Sequence, residues 1–482
     1  MSDLTDLTDL SRLVVAANRG PVSFAIDADL GGEPQARKGA GGLASGLFHA
    51  LRGRGATWIA AAATDGDRKI AESGDAEVDG VRLVLLDIPP EVYEPAYNVV
   101  ANQTLWFLHH DLFELPRRPI FDRHWYEAWE RYREYNELFA RRVATAAPPD
   151  ATVLVHDYHL GLTGSLLAGA RPDLRTLHFS HTPWCEPGQL AILPSTARDE
   201  LVSAMCSFGA CGFHADQWAS AFDTSVRAAG EVPPPLLVSP LAADAEKMVE
   251  VARSAECRAA RRALDARFGD SYLIVRSDRV ELSKNILRGF RAYAELLDRR
   301  PDIHGRVVFL ALAYGSRETL AEYLAYRAEV EHLAQSINDR YGNDSWSPIV
   351  LEVQDDFVAS VAALTRYDLL LVNPIRDGLN LVAKEGPIVN EHDGVLALSP
   401  GAGAFTELDG QLEVHPYDIV QTASVMATAI DMSPAEREER AARLRASATA
   451  RTPEDWLRDL IAHAAPTRGA SAVARSDRQL LE

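Results

Sequence analysis

Short, almost wholly apolar stretches alternate with longer ones of helical spacing along most of this 482-residue chain, and that alternation constrains the fold more than any other feature. LVVAAN (13–18), WIAAAA (58–63), VRLVLLDI (81–88), TVLVHDY (152–158) and LRTLHFSHTP (174–183) are the apolar runs of the first half. Between them lie patterns such as WYEAWERYREYNELFARRVATAA (125–147). A strand apolar on both faces must be covered on both faces, so the alternation predicts parallel sheets built from βαβ units. Prolines then crowd into EVPPPLLVSP (231–240), the best candidate for an interdomain linker. Alternation restarts beyond it with SYLIVRSD (271–278), NILRGFRAYAELLDRR (285–300), RVVFLALAY (306–314), a long helix from Glu318 to about Tyr341, PIVLEVQD (348–355), YDLLLVNP (367–374) and GVLALSP (394–400). The stretch from Pro434 to about Ala464 reads as helical, and Thr467 onward as a frayed end.

A chain this long exceeds one ordinary core. The expectation is an α/β protein of two successive doubly wound domains, residues 1–235 and 236–455, with a last segment at 456–482. The formal net charge of −20 argues against nucleic acid or an anionic membrane as partner, since both require a dense basic surface. The acidic N-terminus, MSDLTDLTDLSR, does not read as a targeting peptide, and no apolar run is long enough to span a bilayer. Four cysteines without a CxxC pair fit a reduced, cytoplasmic protein.

In doubly wound sheets ligands bind beyond the carboxyl ends of the strands, so the polar residues there carry the functional question. NPIRDGLNLVAKEG (373–386) follows the strand YDLLLV. Its Arg376–Asn380 turn runs into a helix at Leu381 and Val382, whose first amides can bind an anion, while Gly378 lets a phosphate approach the backbone. Glu385 lies one turn in, within reach of ribose hydroxyls. The bland alternative, that Asp377 or Asn380 merely caps the helix, has equal weight here. Arg279 and Lys284, in DRVELSKN (278–285), sit between another strand end and helix start and form a plausible clamp for a diphosphate. In the first half the strand ends deliver Asn18-Arg19, Gly41-Gly42, His156-Asp157-Tyr158-His159 and the stretch from His178 to Trp184. AYNVVANQTLWFLHH adds Tyr97 and Trp106. The paired histidines of HDYH and HFSH invite a metal reading, but alternate strand residues face opposite ways and no carboxylate–histidine helical signature accompanies them. No metal and no other cofactor is expected. GAGGLASG has the glycines of a dinucleotide fingerprint without its acidic residue, which disfavours hydride transfer.

Taken together, AGGLASGL, AYNVVANQTLWFLHH, VHDYHL, HFSHTPW, DRVELSKN and NPIRDGLNLVAKE resemble, in order and over nearly the whole chain, the trehalose-6-phosphate synthase family of retaining glycosyltransferases. The resemblance implies a GT-B fold: two Rossmann-like domains facing across a cleft, with a last helix returning to the first. It implies transfer of glucose from GDP-glucose or UDP-glucose to glucose 6-phosphate, giving α,α-trehalose 6-phosphate. By the same resemblance Arg279 and Lys284 hold the donor diphosphate with the amides of Leu381 and Val382 and the backbone at Gly42. Glu385 is the ribose ligand, Asp377 binds donor-sugar hydroxyls, and His181 lies near the reacting sugar. Arg19, Tyr97, Trp106 and Arg317 grip the acceptor phosphate and Asp157 its hydroxyls. The sequence departs from the common bacterial pattern at Trp58-Ile59-Ala60-Ala61, where a second tryptophan is absent and its acceptor contact is either missing or replaced. Pro387 also falls early in a helix, and DRVELSKN is more polar than usual. These forms lie nearer the actinobacterial branch. A related branch of pseudo-glycosyltransferases, akin to validoxylamine phosphate synthase, couples a nucleotide-activated cyclitol to an aminocyclitol phosphate. That coupling, or glucosyl transfer to another phosphorylated acceptor, is the alternative. A silent regulatory paralogue would need a broken donor site, and the donor residues are all present. Neither the donor base nor homo-oligomer formation can be read from the chain.

Overall fold

The computed structural model describes residues 7–26, 33–38, 42–317 and 319–469. Two compact units divide it: residues 1–241 with 453–482, and residues 242–452.

The first unit is built on one sheet. Its strands are β1 (Leu13–Ala16), β4 (Thr57–Ala61), β5 (Ala76–Val78), β6 (Val81–Leu86), β7 (Thr152–His156), β8 (Arg175–Ser180), β9 (Ala210–Phe213) and β10 (Leu236–Val238), with β2 (Val22–Ile26) and β3 (Pro34–Lys38) forming a separate hairpin. The order is β10-β9-β8-β7-β1-β4-β6-β5, parallel except for the β5–β6 pair. Strand order therefore reverses at β1, which has β4 on one side and β7 on the other. β1, β4 and β7 are buried along their whole length, as their unbroken apolar runs require. The helix Arg123–Ala146 presents Trp125, Trp129, Tyr132, Tyr135 and Phe139 along its buried face at three- and four-residue spacing.

The second unit has β11 (Tyr272–Arg279), β12 (Val307–Tyr314), β13 (Ile349–Val353), β14 (Leu369–Val372), β15 (Val395–Leu398) and β16 (Leu412–Glu413), all parallel in the order β13-β12-β11-β14-β15-β16. This is the doubly wound order, with its reversal between β11 and β14.

Several local expectations differ from the structure. The division falls after Leu241, beyond the proline cluster, because Leu236–Val238 still pairs with β9. The C-terminal helical stretch is two helices, Pro434–Ala448 and Pro453–His463. The second belongs to the first unit, with Trp456 fully buried and its indole N–H donating to the Ser239 carbonyl at 3.0 Å. β17 (Ala465–Pro466) then pairs antiparallel with β8, where a frayed end was expected just beyond. The helix expected from Glu318 begins at Ala321, and residue 318 lies outside the described residues. Pro387 sits inside the helix Val382–Val389 rather than in its first turn. No helix among the described residues is long and apolar enough to cross a membrane. All four cysteines are buried.

Candidate active site

In each unit several of the anticipated residues end or follow strands that flank the reversal of strand order: Arg279, Lys284 and Asp377 in the second, Arg19 and Asp157 in the first. The register explains this in the second unit. β11 runs beside β14 (Ile274↔Leu369) and beside β12 as far as Arg279↔Tyr314. The turns after all three strands therefore emerge along one carboxyl edge.

There Lys284 Nζ donates to Asp377 Oδ2 at 2.5 Å. Lys284 ends the 3₁₀ turn Leu282–Lys284, and Asn285 follows in the left-handed region at φ 59°. Asn285 is fixed by its amide, which donates to the carbonyls of Asn373 (2.9 Å) and Pro416 (2.6 Å). Asp377 also accepts from Asn380 Nδ2 (3.1 Å) and, at its other oxygen, from the Leu379 N–H (3.4 Å). The capping alternative is thereby divided between the two residues. Asn380 Oδ1 accepts from the Ala383 N–H at the helix start, whereas the Asp377 carboxylate faces Lys284. Arg279 Nη1 lies 3.0 Å from Glu281 Oε1. Arg317 Nη1 reaches the same oxygen at 2.9 Å and the Tyr323 hydroxyl at 2.8 Å. Glu385 lies in the first turn after Leu381 and Val382. Burial raises its carboxyl to about 7, against the pull of Lys247.

The 376–380 turn is held from behind by a second loop. Asp377 N–H donates to the Gly401 carbonyl (2.9 Å) and Gly403 N–H to the Asp377 carbonyl (3.0 Å). A Cβ at Gly403 would lie 2.0 Å from the Gly378 carbonyl oxygen, and one at Gly401 2.2 Å from that of Ile375. Only glycine permits these approaches. Gly403→Ala will therefore push the Asp377 turn outward and destabilise the protein by roughly 1–3 kcal/mol, the usual cost of overpacking. A urea titration of variant and parent checks it, and equal midpoints would show that the loop yields freely.

In the first unit Arg19 follows β1 and Asp157 follows its neighbour β7. Trp58 on β4 donates its indole N–H to the Arg19 carbonyl (3.1 Å), and Arg19 Nη2 lies 3.4 Å from the Tyr97 hydroxyl. Tyr97 stacks on His159 with ring centroids 5.6 Å apart. Its segment, Pro95–Leu105, winds as a π-helix before the turn Trp106–His109. Trp106 packs on His110 (3.8 Å) and on Tyr158 (5.8 Å), whose ring adjoins His159 (4.1 Å). Gly42 opens the helix Gly42–Leu51; Gly41 lies outside the described residues.

Asp157 has φ 70° and ψ 171°, a region essentially reserved for glycine. Its Oδ1 accepts from the N–H groups of His181 (3.2 Å) and Thr182 (3.3 Å) and from the Thr182 hydroxyl (3.4 Å). Burial raises its carboxyl to about 6 despite these donors.

His181 is part of a series that sequence reasoning missed. Leu241 N–H donates to His214 Nδ1 (3.2 Å), His214 Nε2 lies 3.0 Å from His181 Nδ1, and His181 Nε2 lies 3.0 Å from His156 Nδ1. A backbone donor at His214 Nδ1 puts that ring's proton on Nε2, and the same tautomer propagates along the series. Burial lowers the imidazole of His156 to about 3 and that of His181 well below its ordinary value, so these two rings are neutral. Both nitrogens of His181 are thus engaged by histidines. What His181 gives Asp157 is its backbone N–H. Glu281 and Ser316 were also missed, although the Arg-x-Glu spacing at a strand end was visible in DRVELSKN.

The model of glycosyltransferase family 20 matches residues 11–233 and 235–465. A trehalose-6-phosphate synthase of Mycolicibacterium smegmatis is 31% identical over 94% of this chain and 92% of its own. One from Mycolicibacterium vanbaalenii is 30% identical over 95% and 97%. Among solved structures, a UDP-forming α,α-trehalose-phosphate synthase from Burkholderia xenovorans in complex with glucose-6-phosphate superposes with a TM-score of 0.81 at 28% identity, covering 93% of this chain and 99% of that one. The E. coli enzyme bound with UDP-2-fluoro glucose gives 0.81 at 26% identity, over 93% and 98%. The matched model spans nearly the entire chain and the superpositions extend over both sheets, so this protein belongs to glycosyltransferase family 20 and is an enzyme of the trehalose-6-phosphate synthase family, with the fold of those enzymes.

Proposed function

We propose that the enzyme transfers glucose from a nucleotide-glucose to glucose 6-phosphate and releases α,α-trehalose 6-phosphate with retained anomeric configuration. The observation that carries this reading is the cluster of Arg279, Lys284 and Asp377 at the reversal point between β11 and β14, the place where such sheets bind nucleotides. Relatives crystallised with glucose-6-phosphate and with UDP-2-fluoro glucose support the substrate classes.

In this reading Arg279 and Lys284 face the diphosphate, with the helix-start amides of Leu381 and Val382 in the same unit completing its cradle. As the glycosidic bond breaks, charge builds on the departing diphosphate, and fixed cations stabilise it without moving. Asp377, held by Lys284 and Asn380, orients the glucose hydroxyls, and Glu385 takes the ribose. Arg19, Tyr97, Trp106 and Arg317 receive the acceptor phosphate, and Asp157, fixed by His181 and Thr182, its hydroxyls. The attacking hydroxyl enters on the face the diphosphate leaves and passes its proton to a diphosphate oxygen, so no side chain serves as nucleophile. Neither Asp157 nor Asp377 then plays the acid and nucleophile roles of a glycosidase pair.

The carboxylates set a pH dependence. Asp157 (about 6) and Glu385 (about 7) accept hydrogen bonds from substrate hydroxyls best when ionised, so kcat/KM falls as pH drops below about 7 and then below about 6. Stability runs the other way. Both carboxyls are raised on folding, so the stability they contribute is complete below their unfolded values and lost as pH rises through 6 to 7. Rates and thermal midpoints measured from about pH 5 to about 8 should move in opposite directions. Parallel trends would count against these two groups.

The direct test is incubation of purified protein with GDP-glucose or UDP-glucose and glucose 6-phosphate, following nucleoside diphosphate and product by mass spectrometry. Trehalose 6-phosphate fixes the reaction, and the two rates name the base. Nucleotide binding without product from either donor would transfer the proposal to cyclitol coupling, to be assayed with an aminocyclitol phosphate.

A further inference from the structure

Glu281 is fully buried and has no part in the reading above. Its Oε1 lies 3.0 Å from Arg279 Nη1 and 2.9 Å from Arg317 Nη1, and accepts from the Ser316 hydroxyl at 2.8 Å. Its Oε2 is buried with no hydrogen-bond partner among the described residues. The two arginines come from different places: Arg279 ends β11, and Arg317 lies three residues beyond the end of β12 with a left-handed backbone (φ 48°). Register brings them together, because Arg279 is opposite Tyr314. Burial would raise the carboxyl, but Arg279, Arg317 and Lys284 overcome it and bring it down to about 2, so Glu281 is an anion at any working pH.

Two guanidiniums meeting at one oxygen repel each other, and a buried carboxylate with one oxygen unpartnered is costly. Such an arrangement contributes little to stability. It does fix the two arginines in one geometry. Tyr323 adds to the same end: its hydroxyl accepts from Arg317, and its ring lies 5.4 Å from that guanidinium carbon.

We propose that Glu281 is a positioning residue that presents Arg279 to the nucleotide diphosphate and Arg317 to the acceptor phosphate, so that one buried carboxylate prepares both anion sites. The inference rests on the assignment of those arginines in the preceding subsection. It gives a result opposite in sign to simple electrostatics. Glu281→Gln removes a negative charge beside two phosphate sites, which by charge alone strengthens phosphate binding. Loss of positioning weakens it.

The experiment measures binding of UDP, GDP and glucose 6-phosphate separately by calorimetry, with near-ultraviolet circular dichroism and the thermal midpoint as controls for folding. E281Q is expected to weaken both the preferred nucleoside diphosphate and glucose 6-phosphate by about tenfold or more. Undiminished or tighter binding of either ligand by the folded variant overturns the inference. Should E281Q fail to fold, E281D decides: it keeps the charge but is one methylene shorter and cannot reach both arginines. It is expected to weaken at least one ligand while its fold is retained, and unchanged affinity for both overturns the proposal. Wild-type protein that binds neither ligand class overturns the functional reading, and this inference with it. Wild-type binding with an unaffected E281Q overturns this inference alone.

Discussion

Lys284→Ala will lower turnover by about 10²–10³-fold, the cost of removing one preorganised donor from a developing anion. The side chain is 12% exposed and its nitrogen sits 2.5 Å from Asp377 Oδ2. Its charge is thus held at the reversal point of the sheet before any substrate arrives. Burial works against the lysine's charge, but Asp377 and Asp278 prevail and hold its pKa above the ordinary lysine value, so it stays cationic throughout the working range. After truncation Asp377 still accepts from Asn380 and from the Leu379 N–H. The structural loss should therefore be limited to roughly 1–3 kcal/mol. The separation between a large kinetic effect and a modest thermal one is the informative part. Rates of nucleoside diphosphate release, with melting curves recorded on the same preparations, provide it. Unchanged turnover would remove Lys284 from the donor site.

At Asp157, substitution by glycine and by alanine will separate strain from chemistry. Both variants should lose most transfer activity, since neither retains a carboxylate for the acceptor hydroxyls. Their stabilities should differ in an order opposite to the usual one, because φ 70° with ψ 171° suits only glycine. Asp157→Gly should be more stable than Asp157→Ala by roughly 1–3 kcal/mol, the strain held in such a conformation. Each variant loses the same hydrogen bonds from His181 and Thr182, so the comparison between them cancels that common term. Denaturant titrations give the difference. An alanine variant as stable as the glycine variant would mean that the backbone relaxes once the carboxylate is gone.

Much of this architecture was legible because a strand buried on both faces is apolar throughout, and a helix between two such strands forces them parallel. The runs at 13–18, 152–158 and 367–374 gave β1, β7 and β14, with the polar residues at their carboxyl ends. The hairpin Val22–Ile26 with Pro34–Lys38 was not legible in the sequence, since one of its strands is largely polar and carries no strand periodicity. The π-helix Pro95–Leu105 was not anticipated either, because residue spacing alone does not distinguish it from the commoner helix.

The chain by itself determined the chemical inventory: which cations, carboxylates and glycines stand where a strand gives way to a helix. Tertiary structure decided which of them meet. Lys284 finds Asp377 because β14 lies beside β11, and Arg317 finds Glu281 because β12 lies on β11's other side. The same holds for the histidine series, which joins β7, the turn after β8 and the turn after β9 to the amide of Leu241. Local periodicity reports only whether a segment is buried. Strand order is set by long-range packing among segments far apart in the chain, and no stretch of sequence contains it.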